Sequence, residues 1–279
     1  MKQLITICLL FIAISGHLNA QTSCCNLKSN AQFASLGKVK EFQNAHAAPL
    51  PYSHVGIGKK ITFPVSNGKE GHAYEIKSKN QSNKFLIVVH EWWGLNDYIL
   101  KESDKLFGDL NDVNILAIDL YDGKIATTKE EAGKYMGEVD AVRAKAIIEG
   151  AIRHAGSSAK IASIGWCFGG GWSLQTALIA GKRAVGCVMY YGMPEQNVDR
   201  LKTLNTDVLG IFAKKDGWIN EEMIGAFQKN MEEAGKDLTV HWFDADHAFA
   251  NPSNPNFDKK ATEESHKLAV SYLAKSFKK

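Results

Sequence analysis

The stretch Ile161-Ala162-Ser163-Ile164-Gly165-Trp166-Cys167-Phe168-Gly169-Gly170-Gly171 decides the predicted fold. A short apolar run leads through a glycine to one reactive side chain, and further glycines lead into a segment with helical character. This order is typical of a nucleophile elbow, a tight strand-to-helix turn in which small residues such as Gly165 and Gly169 relieve crowding around the nucleophile. The alternative is an inert buried thiol, but strand, paired glycines and helix together favour Cys167 as a nucleophile.

Predicted strands and helices alternate along the rest of the chain. Continuous apolar runs such as residues 85–89 are typical of central strands in a parallel sheet. The other predicted strands are 60–65, 72–77, 113–118, 160–164, 184–190, 207–213 and 238–243, with a hairpin turn at 66–69. Helices are predicted after the cap residue Asn96, from Thr128 as one or two helices, and at 168–180, 221–234 and 262–275. The alternation indicates a doubly wound α/β fold, a mainly parallel sheet with helices on both faces.

The N-terminus reads as an export signal followed by a leader. Residues 1–20 carry one early lysine and an apolar core that is too short to span a bilayer, which predicts a cleaved signal peptide and an exported, periplasmic or secreted protein. An uncleaved anchor and lipidation at Cys24 are the alternatives. Residues 21–59 are predicted as a leader, partly helical near 31–45 or mobile, with His46 and His54 as surface residues. Residues 60–279 are predicted to form the catalytic domain.

Charge and cysteine content narrow the class of partner. The net charge of +3 falls to +2 without Lys2 of the signal, so no nucleic-acid partner is indicated. Four cysteines remain after cleavage, which is not a disulfide framework, and the pairing of Cys24 and Cys25 stays open. Cys187 lies in an apolar run and is predicted to be core. The oligomeric state is not predicted.

A histidine and an acid follow later strands, as a thiol nucleophile requires. The free thiol has a pKa of about 8.5, so it needs a base, and the base needs an acceptor that fixes its tautomer. Asp216 and His247 both follow predicted strands, and the order Cys167, Asp216, His247 is that of α/β-hydrolases. Asp244 and Asp246 are competing acids, but an acid so close to the histidine rarely reaches the same ring.

The residues that follow the third predicted strand also lie where a ligand-binding site is expected. Glu91 and Trp92 lie at a strand carboxyl end, where ligands bind in such sheets. His90-Glu91 begins a possible zinc-binding HExxH motif, but Gly94 stands where the second histidine is required. The sequence therefore predicts no metal site, and no cofactor is required.

Four motifs in order resemble the dienelactone hydrolase family: residues 91–96, 165–170, 215–217 and 246–249. The resemblance extends over residues 60–279 and implies an α/β-hydrolase fold. It also implies that Glu91 contacts the resting thiol until substrate binding frees the sulfur to pair with histidine. A carboxylate near a thiol suppresses the thiolate, so Glu91 would guard Cys167 against oxidation.

The sequence departs from the dienelactone-cleaving members at two positions. The resemblance implies that those members carry an arginine that binds the substrate carboxylate. In this sequence Asn251 stands at that position. Between Tyr121 and Tyr135, where a second such arginine is expected, the cations are lysines. These departures argue against dienelactone as the substrate.

The predicted function is hydrolysis of small esters or lactones through an acyl-enzyme on Cys167. Backbone N–H groups of Phe168 and Trp92 are predicted to hold the oxyanion. The predicted substrate pocket consists of Trp93, Trp166, Tyr121, Phe249 and Asn251. A thioesterase or other thiol enzyme, and a non-catalytic exported binding protein, remain alternatives.

Overall fold

The computed structural model describes residues 28–66 and 68–279, and within them eight strands form one sheet. The strands are β1 (Lys59–Pro64), β2 (Glu70–Ile76), β3 (Lys84–Val89), β4 (Asn114–Asp119), β5 (Lys160–Trp166), β6 (Ala184–Tyr190), β7 (Val208–Ala213) and β8 (Leu238–Phe243). Their order across the sheet is β1-β2-β4-β3-β5-β6-β7-β8. β1 and β2 pair antiparallel with each other and β2 with β4, whereas β3 to β8 run parallel.

Helices connect the parallel strands and cover the sheet. They are α1 (Lys28–Leu36), α2 (Lys40–Asn44), α3 (Asp97–Asp109), α4 (Lys129–Gly137), α5 (Ala141–His154), α6 (Phe168–Ala180), α7 (Val198–Lys202), α8 (Glu221–Glu233) and α9 (Lys259–Ser276). Helix α6 packs on β5 and β6 and against α5, while α9 packs on β6 and β7. The described residues thus form the doubly wound α/β-hydrolase fold that the sequence predicts.

The central strands are buried because helices lie on both faces of the sheet. In β3, the four residues 86–89 have no exposed surface, and every residue of β4 and β7 is buried. This explains the unbroken apolar runs in the sequence, since no face of these strands meets water. Val89 of β3 pairs with Gly165 of β5, so the loops that follow the two strands emerge side by side.

Local signals at helix ends are confirmed. Asn96 caps α3 by accepting from the N–H of Ile99, and Thr128 and Glu131 form a reciprocal capping box at α4. The helical region after Thr128 is two helices, because a new helix starts at the cap residue Asp140. The predicted hairpin joins β1 and β2, with Pro64 opposite Glu70.

The leader segment, defined here as residues 28–58, packs onto the catalytic domain. It contains α1 and α2 where the sequence predicts one helix. Phe33 and Phe42 are buried, and the Phe42 ring lies 5.1 Å from that of Trp218. The prediction that His46 is a surface residue is wrong: it is 2% exposed, because its ring packs against those of Phe42 and Trp92. His54 is half-buried and its Nε2 lies 2.6 Å from Asp104.

The signal peptide and the pair Cys24 and Cys25 lie outside the described residues. Where the structure describes the chain, it contains no helix with the length and hydropathy needed to cross a membrane. Cys187 is a free, fully buried thiol in β6, as predicted for a core residue.

Candidate active site

The turn between β5 and α6 places Cys167 at its tip. Cys167 adopts φ 55° and ψ −119°, a positive φ that side-chain-bearing residues rarely tolerate. A Cβ on Gly165 would overlap the carbonyl oxygen of Gly169, and one on Gly169 would overlap that of Val89. Both glycines are therefore required sterically, and the strained geometry predicted for a nucleophile elbow is present.

The Cys167 sulfur faces His247. Sγ lies 3.3 Å from Nε2 of His247, within hydrogen-bond distance for sulfur. Burial raises the pKa of the thiol, whereas the His247 charge and hydrogen bond and the Phe168 N–H act to lower it; the net shift is upward. The side chain is buried, with 1% of its surface exposed. A substrate carbonyl therefore reaches the sulfur only after the side chains that cover it move.

Asp216 holds the other nitrogen of His247. Its Oδ2 lies 2.5 Å from Nδ1, and its Oδ1 accepts from the N–H groups of Trp218 and Ile219, both at 2.9 Å. Burial raises the pKa of Asp216, but the His247 charge and these hydrogen bonds outweigh burial and lower it. Burial lowers the pKa of His247, yet Asp216 and Cys167 together raise it well above its ordinary value.

The structure separates Asp216 from the competing acids. Asp244 and Asp246 are exposed, and Asp244 pairs with Lys215 at 3.2 Å. The three side chains of the predicted triad are joined in one chain from sulfur to carboxylate. They come from the loops after β5, β7 and β8, whose carboxyl ends lie at one edge of the sheet.

Glu91 is buried next to this chain but is held by Asn251. The Asn251 amide donates to Oε2 at 2.5 Å, while its own Oδ1 accepts from Ser253. Burial raises the pKa of Glu91 to about 7, and His247 and Asn251 oppose this shift. The contact between Glu91 and the resting thiol that the resemblance implies is not what the described residues show, since the sulfur pairs with His247 instead.

The two predicted oxyanion donors flank the elbow. Phe168 begins α6, and its backbone N–H acts to lower the pKa of the Cys167 thiol. Trp92 lies two residues beyond the loop start at His90, in the loop beside the elbow that β3 and β5 place together. Its indole packs at 4.8 Å from the Trp93 ring. The helix N-terminus behind Phe168 favours negative charge at this point.

A cavity of about 320 Å³ opens beside Glu91. Of the predicted pocket residues, Trp166 and Asn251 line it, together with Ile99 and Phe257. Trp93, Tyr121 and Phe249 are buried and do not line this cavity. Aromatic residues after strands thus divide between the cavity wall and the core.

His46 of the leader segment also lies in the site, which the sequence reasoning missed. Its ring is 5.2 Å from that of His247 and 4.6 Å from that of Trp92. Its Nδ1 is 2.7 Å from the carbonyl oxygen of Phe42, whereas Nε2 is buried with no partner among the described residues. Burial, followed by the His247 charge, lowers the pKa of His46 to about 3. No spacing in the sequence connects this residue to the triad.

Three buried donors around the thiol also lack partners within the described chain: Trp92 Nε1, Tyr121 Oη and Tyr191 Oη. The Tyr191 ring lies 5.1 Å from that of His247. Burial, and then the Cys167 charge, raises the pKa of Tyr121 well above its ordinary value, so it remains a neutral donor. Clustered unpaired donors of this kind usually serve a ligand or ordered water.

Comparison with known proteins agrees with this geometry. A family model described as the dienelactone hydrolase family matches residues 72–277. Carboxymethylenebutenolidase 1 of Cupriavidus pinatubonensis is 25% identical over 224 residues, covering 75% of this chain and 93% of that protein.

Two solved structures share the fold. The dienelactone hydrolase-like promiscuous phosphotriesterase P91 from metagenomic libraries matches with a TM-score of 0.67 and 18% identity, over 78% of this chain and 97% of the other. An esterase of Rhizomucor miehei matches with a TM-score of 0.60 and 14% identity, over 91% and 92%. With the family model covering most of the sequence, the chain belongs to the dienelactone hydrolase family, hydrolases of the α/β-hydrolase fold.

Proposed function

We propose that this protein hydrolyses small esters or lactones through a cysteine nucleophile and an acyl-enzyme intermediate. One observation carries the proposal: the unbroken chain from the Cys167 sulfur through both nitrogens of His247 to Asp216, built on a strained elbow. Each link has the chemical role that thiol-dependent acyl transfer needs, namely nucleophile, base and orienting acid.

Acylation begins with proton transfer from Sγ of Cys167 to Nε2 of His247. Asp216 accepts from Nδ1–H and stabilises the imidazolium that forms, in agreement with the raised pKa of His247. The thiolate attacks the carbonyl carbon, and the carbonyl oxygen becomes an oxyanion facing the N–H groups of Phe168 and Trp92. The helix dipole of α6 adds to this stabilisation.

The same groups complete acylation and then carry out deacylation. The carbon–oxygen bond to the alcohol breaks, and the alkoxide takes the proton from Nε2, which leaves a thioester on Cys167. In a lactone the alcohol stays tethered to the acyl group. In deacylation His247 removes a proton from water and the hydroxide attacks the thioester. The carbon–sulfur bond then breaks, the sulfur takes the proton from Nε2, and the carboxylic acid is released. The sequence of steps uses no cofactor.

The part of the cavity beside Glu91 and Asn251 favours an uncharged substrate. Where a carboxylate-binding arginine is expected, Asn251 offers an amide that already donates to Glu91. The acidic side chain of Glu91 lines the same cavity as Trp166 and the apolar Ile99. A substrate carboxylate placed beside Glu91 and Asn251 would meet an acid, so neutral esters and lactones fit this part of the wall better. The lysines of the lining, Lys101 and Lys105, belong to α3.

Cys167→Ala tests the catalytic proposal. We expect it to abolish turnover of a panel of neutral esters and lactones in reducing buffer, because no other group can form the acyl-enzyme. Cys187→Ala is the matched control, since this second buried thiol lies in the core of β6 and should keep turnover. Full activity in Cys167→Ala would contradict the mechanism.

The panel also separates the alternative functions. Thioesters, and esters or lactones that carry a carboxylate, should be turned over more slowly than neutral esters. A strong preference for thioesters would favour a thioesterase. No turnover of any substrate, with Cys167 unreactive toward iodoacetamide in reducing buffer, would favour a binding protein.

We also propose that the mature chain is exported, with residues 1–20 as a cleaved signal and the lipoprotein form at Cys24 as the minor alternative. The support is the short apolar core that follows a single lysine. Cell fractionation with mass analysis of the mature N-terminus tests this proposal. A cytoplasmic chain that retains Met1 would contradict it.

A further inference from the structure

Three potential metal ligands converge at the thiol. The sulfur of Cys167 and one ring nitrogen from each of His46 and His247 lie within 4.8 Å of one another, and all three side chains are buried. The Cys167–His247 distance of 3.3 Å is already close to that between two ligands of one ion. In a tetrahedral zinc site, bonds of about 2.0–2.3 Å place neighbouring ligand atoms roughly 3.3–3.6 Å apart.

His46 is chemically prepared to bind a cation. The Phe42 carbonyl oxygen can only accept, so the Nδ1 that lies 2.7 Å from it carries the hydrogen. The lone pair of the neutral ring is then on Nε2, the buried atom with no partner in the described residues. This nitrogen needs no deprotonation before it binds a metal, and a buried unpaired acceptor of this kind calls for a ligand.

Both histidines have the outer partners that metal-binding imidazoles usually have. His247 is oriented through Nδ1 by the Asp216 carboxylate at 2.5 Å, and His46 through Nδ1 by a backbone carbonyl. Such second-shell hydrogen bonds fix the tautomer that directs Nε2 toward an ion. Phe42 therefore positions the leader histidine much as Asp216 positions the triad histidine.

The chemistry and charge of the site select a soft divalent ion. One thiolate with two imidazoles suits zinc much better than magnesium or calcium, which require oxygen ligands. The carboxylates of Asp216 and Glu91 add negative charge next to this set, and Glu91 acts electrostatically on both Cys167 and His247. Three protein ligands leave a fourth position for water, the pattern of zinc sites that are not closed.

We propose that Cys167, His247 and His46 form a binding site for Zn²⁺, which occupies the sulfur and both Nε2 atoms and thereby blocks hydrolysis. Binding forms a sulfur–metal bond as the thiol proton leaves to solvent, together with any proton on His247 Nε2. The same lone pairs then cannot attack a carbonyl or accept a proton. The leader segment supplies the third ligand, His46, in addition to the two catalytic side chains.

Cobalt(II) substitution tests the site without any need for turnover. The full chain is used with Cys8, Cys24 and Cys25 changed to serine, because these thiols lie outside the described residues and would bind metal themselves. We expect one equivalent of Co²⁺ to give a thiolate-to-cobalt absorption band in the near ultraviolet and tetrahedral bands in the visible. Zn²⁺ should displace the cobalt and raise the melting temperature.

Two variants assign the ligands, and two controls match them. His46→Asn keeps a donor for the Phe42 carbonyl but removes Nε2, and should weaken Co²⁺ binding by about 100-fold or more, since even second-shell losses cost 10–100-fold. Cys167→Ser should remove the near-ultraviolet band. His54→Asn and Cys187→Ala, a histidine and a buried thiol away from the site, should bind like the parent.

The outcomes separate this proposal from the hydrolase mechanism. If esters are hydrolysed, Zn²⁺ should inhibit and a chelator should restore the rate; stimulation by Zn²⁺ would overturn the blocking role. If no ester is hydrolysed, the cobalt spectra still decide whether the site exists. Equal cobalt affinity in His46→Asn and His54→Asn, or the absence of a sulfur band in the parent, would overturn the site.

Discussion

The two sides of the Cys167 thiol present the same ring in opposite electrostatic states. On the catalytic-domain side, His247 meets the Asp216 carboxylate, and its pKa is raised well above the ordinary value despite burial. On the leader side, His46 meets the neutral Phe42 carbonyl, and burial lowers its pKa to about 3. Depending on the group that its Nδ1 contacts, a buried imidazole thus either accepts a proton readily or stays neutral with a lone pair on Nε2.

Under the proposed mechanism, this difference gives the two histidines different roles. A proton shuttle must gain and lose a proton, and the Asp216 carboxylate makes the charged form of His247 accessible in a buried site. A histidine that stays neutral cannot shuttle protons at physiological pH, but it can bind a metal ion or accept a hydrogen bond. Sequence position separates the two as well, since one lies in the family domain and the other in the leader segment.

The largest expected effect comes from removing the carboxylate that contacts His247. Asp216→Asn should lower kcat for a neutral ester by about 10⁴-fold, because an amide in this position disfavours the His247 tautomer that accepts from sulfur. Steady-state kinetics of the variant and the parent enzyme, compared side by side, measures the change in kcat.

Asp244→Asn is the matched control for this variant. Asp244 is exposed and pairs with Lys215 rather than with the triad, so its loss should change kcat less than twofold or so. Equal losses in the two variants would remove Asp216 from its assigned role.

The next effect concerns the packing that holds His46 in place. Phe42→Ala should cost about 3–5 kcal/mol, because it empties a fully buried ring site against Phe33, Trp92 and Trp218. Urea unfolding measures the loss, and hydrogen exchange over residues 28–46 detects release of the leader segment by itself.

Leu50→Ala provides the control within the same segment. The Leu50 side chain is 71% exposed, so this change should stay within about 0.5 kcal/mol. If both variants had parental stability and parental exchange protection, the leader segment would not be docked through Phe42.

The smallest effect is a pH dependence of stability that belongs to the leader side. The folded pKa of His46 is about 3 and its ordinary value is 6.5, so below pH 6.5 the unfolded chain binds the extra proton. The contribution of the neutral His46 ring to the free energy of unfolding is therefore fully present above pH 6.5, where the ring is neutral in both the folded and the unfolded chain. It is lost as the pH falls toward 3, at about 1.4 kcal/mol per pH unit.

Unfolding in the presence of a chelator at pH 7.0 and 5.5 measures this dependence. The parent should lose about 1 kcal/mol more than His46→Asn between the two values, because asparagine does not titrate. Identical losses in the two proteins would mean that His46 is not held neutral in a buried environment.

Local sequence signals predicted the catalytic-domain side well. The elbow is a short-range feature in which the positive φ of Cys167 and the close approach of Gly165 to Gly169 leave few alternatives. Asp216 and His247 followed from a general rule, since parallel strands bring their carboxyl ends to one edge. The contact between Asp216 and His247 follows from the order of their strands in the sheet.

The sequence alone therefore determined the sheet, the elbow and the order of the triad, because these depend on apolar periodicity and on glycine sterics within a few residues. Tertiary structure decided the rest. Asn251 meets Glu91 across 160 residues, and His46 reaches the thiol from a leader without regular periodicity. Such contacts arise from the packing of distant segments, and a protonation state follows from burial and partner, which no local pattern records.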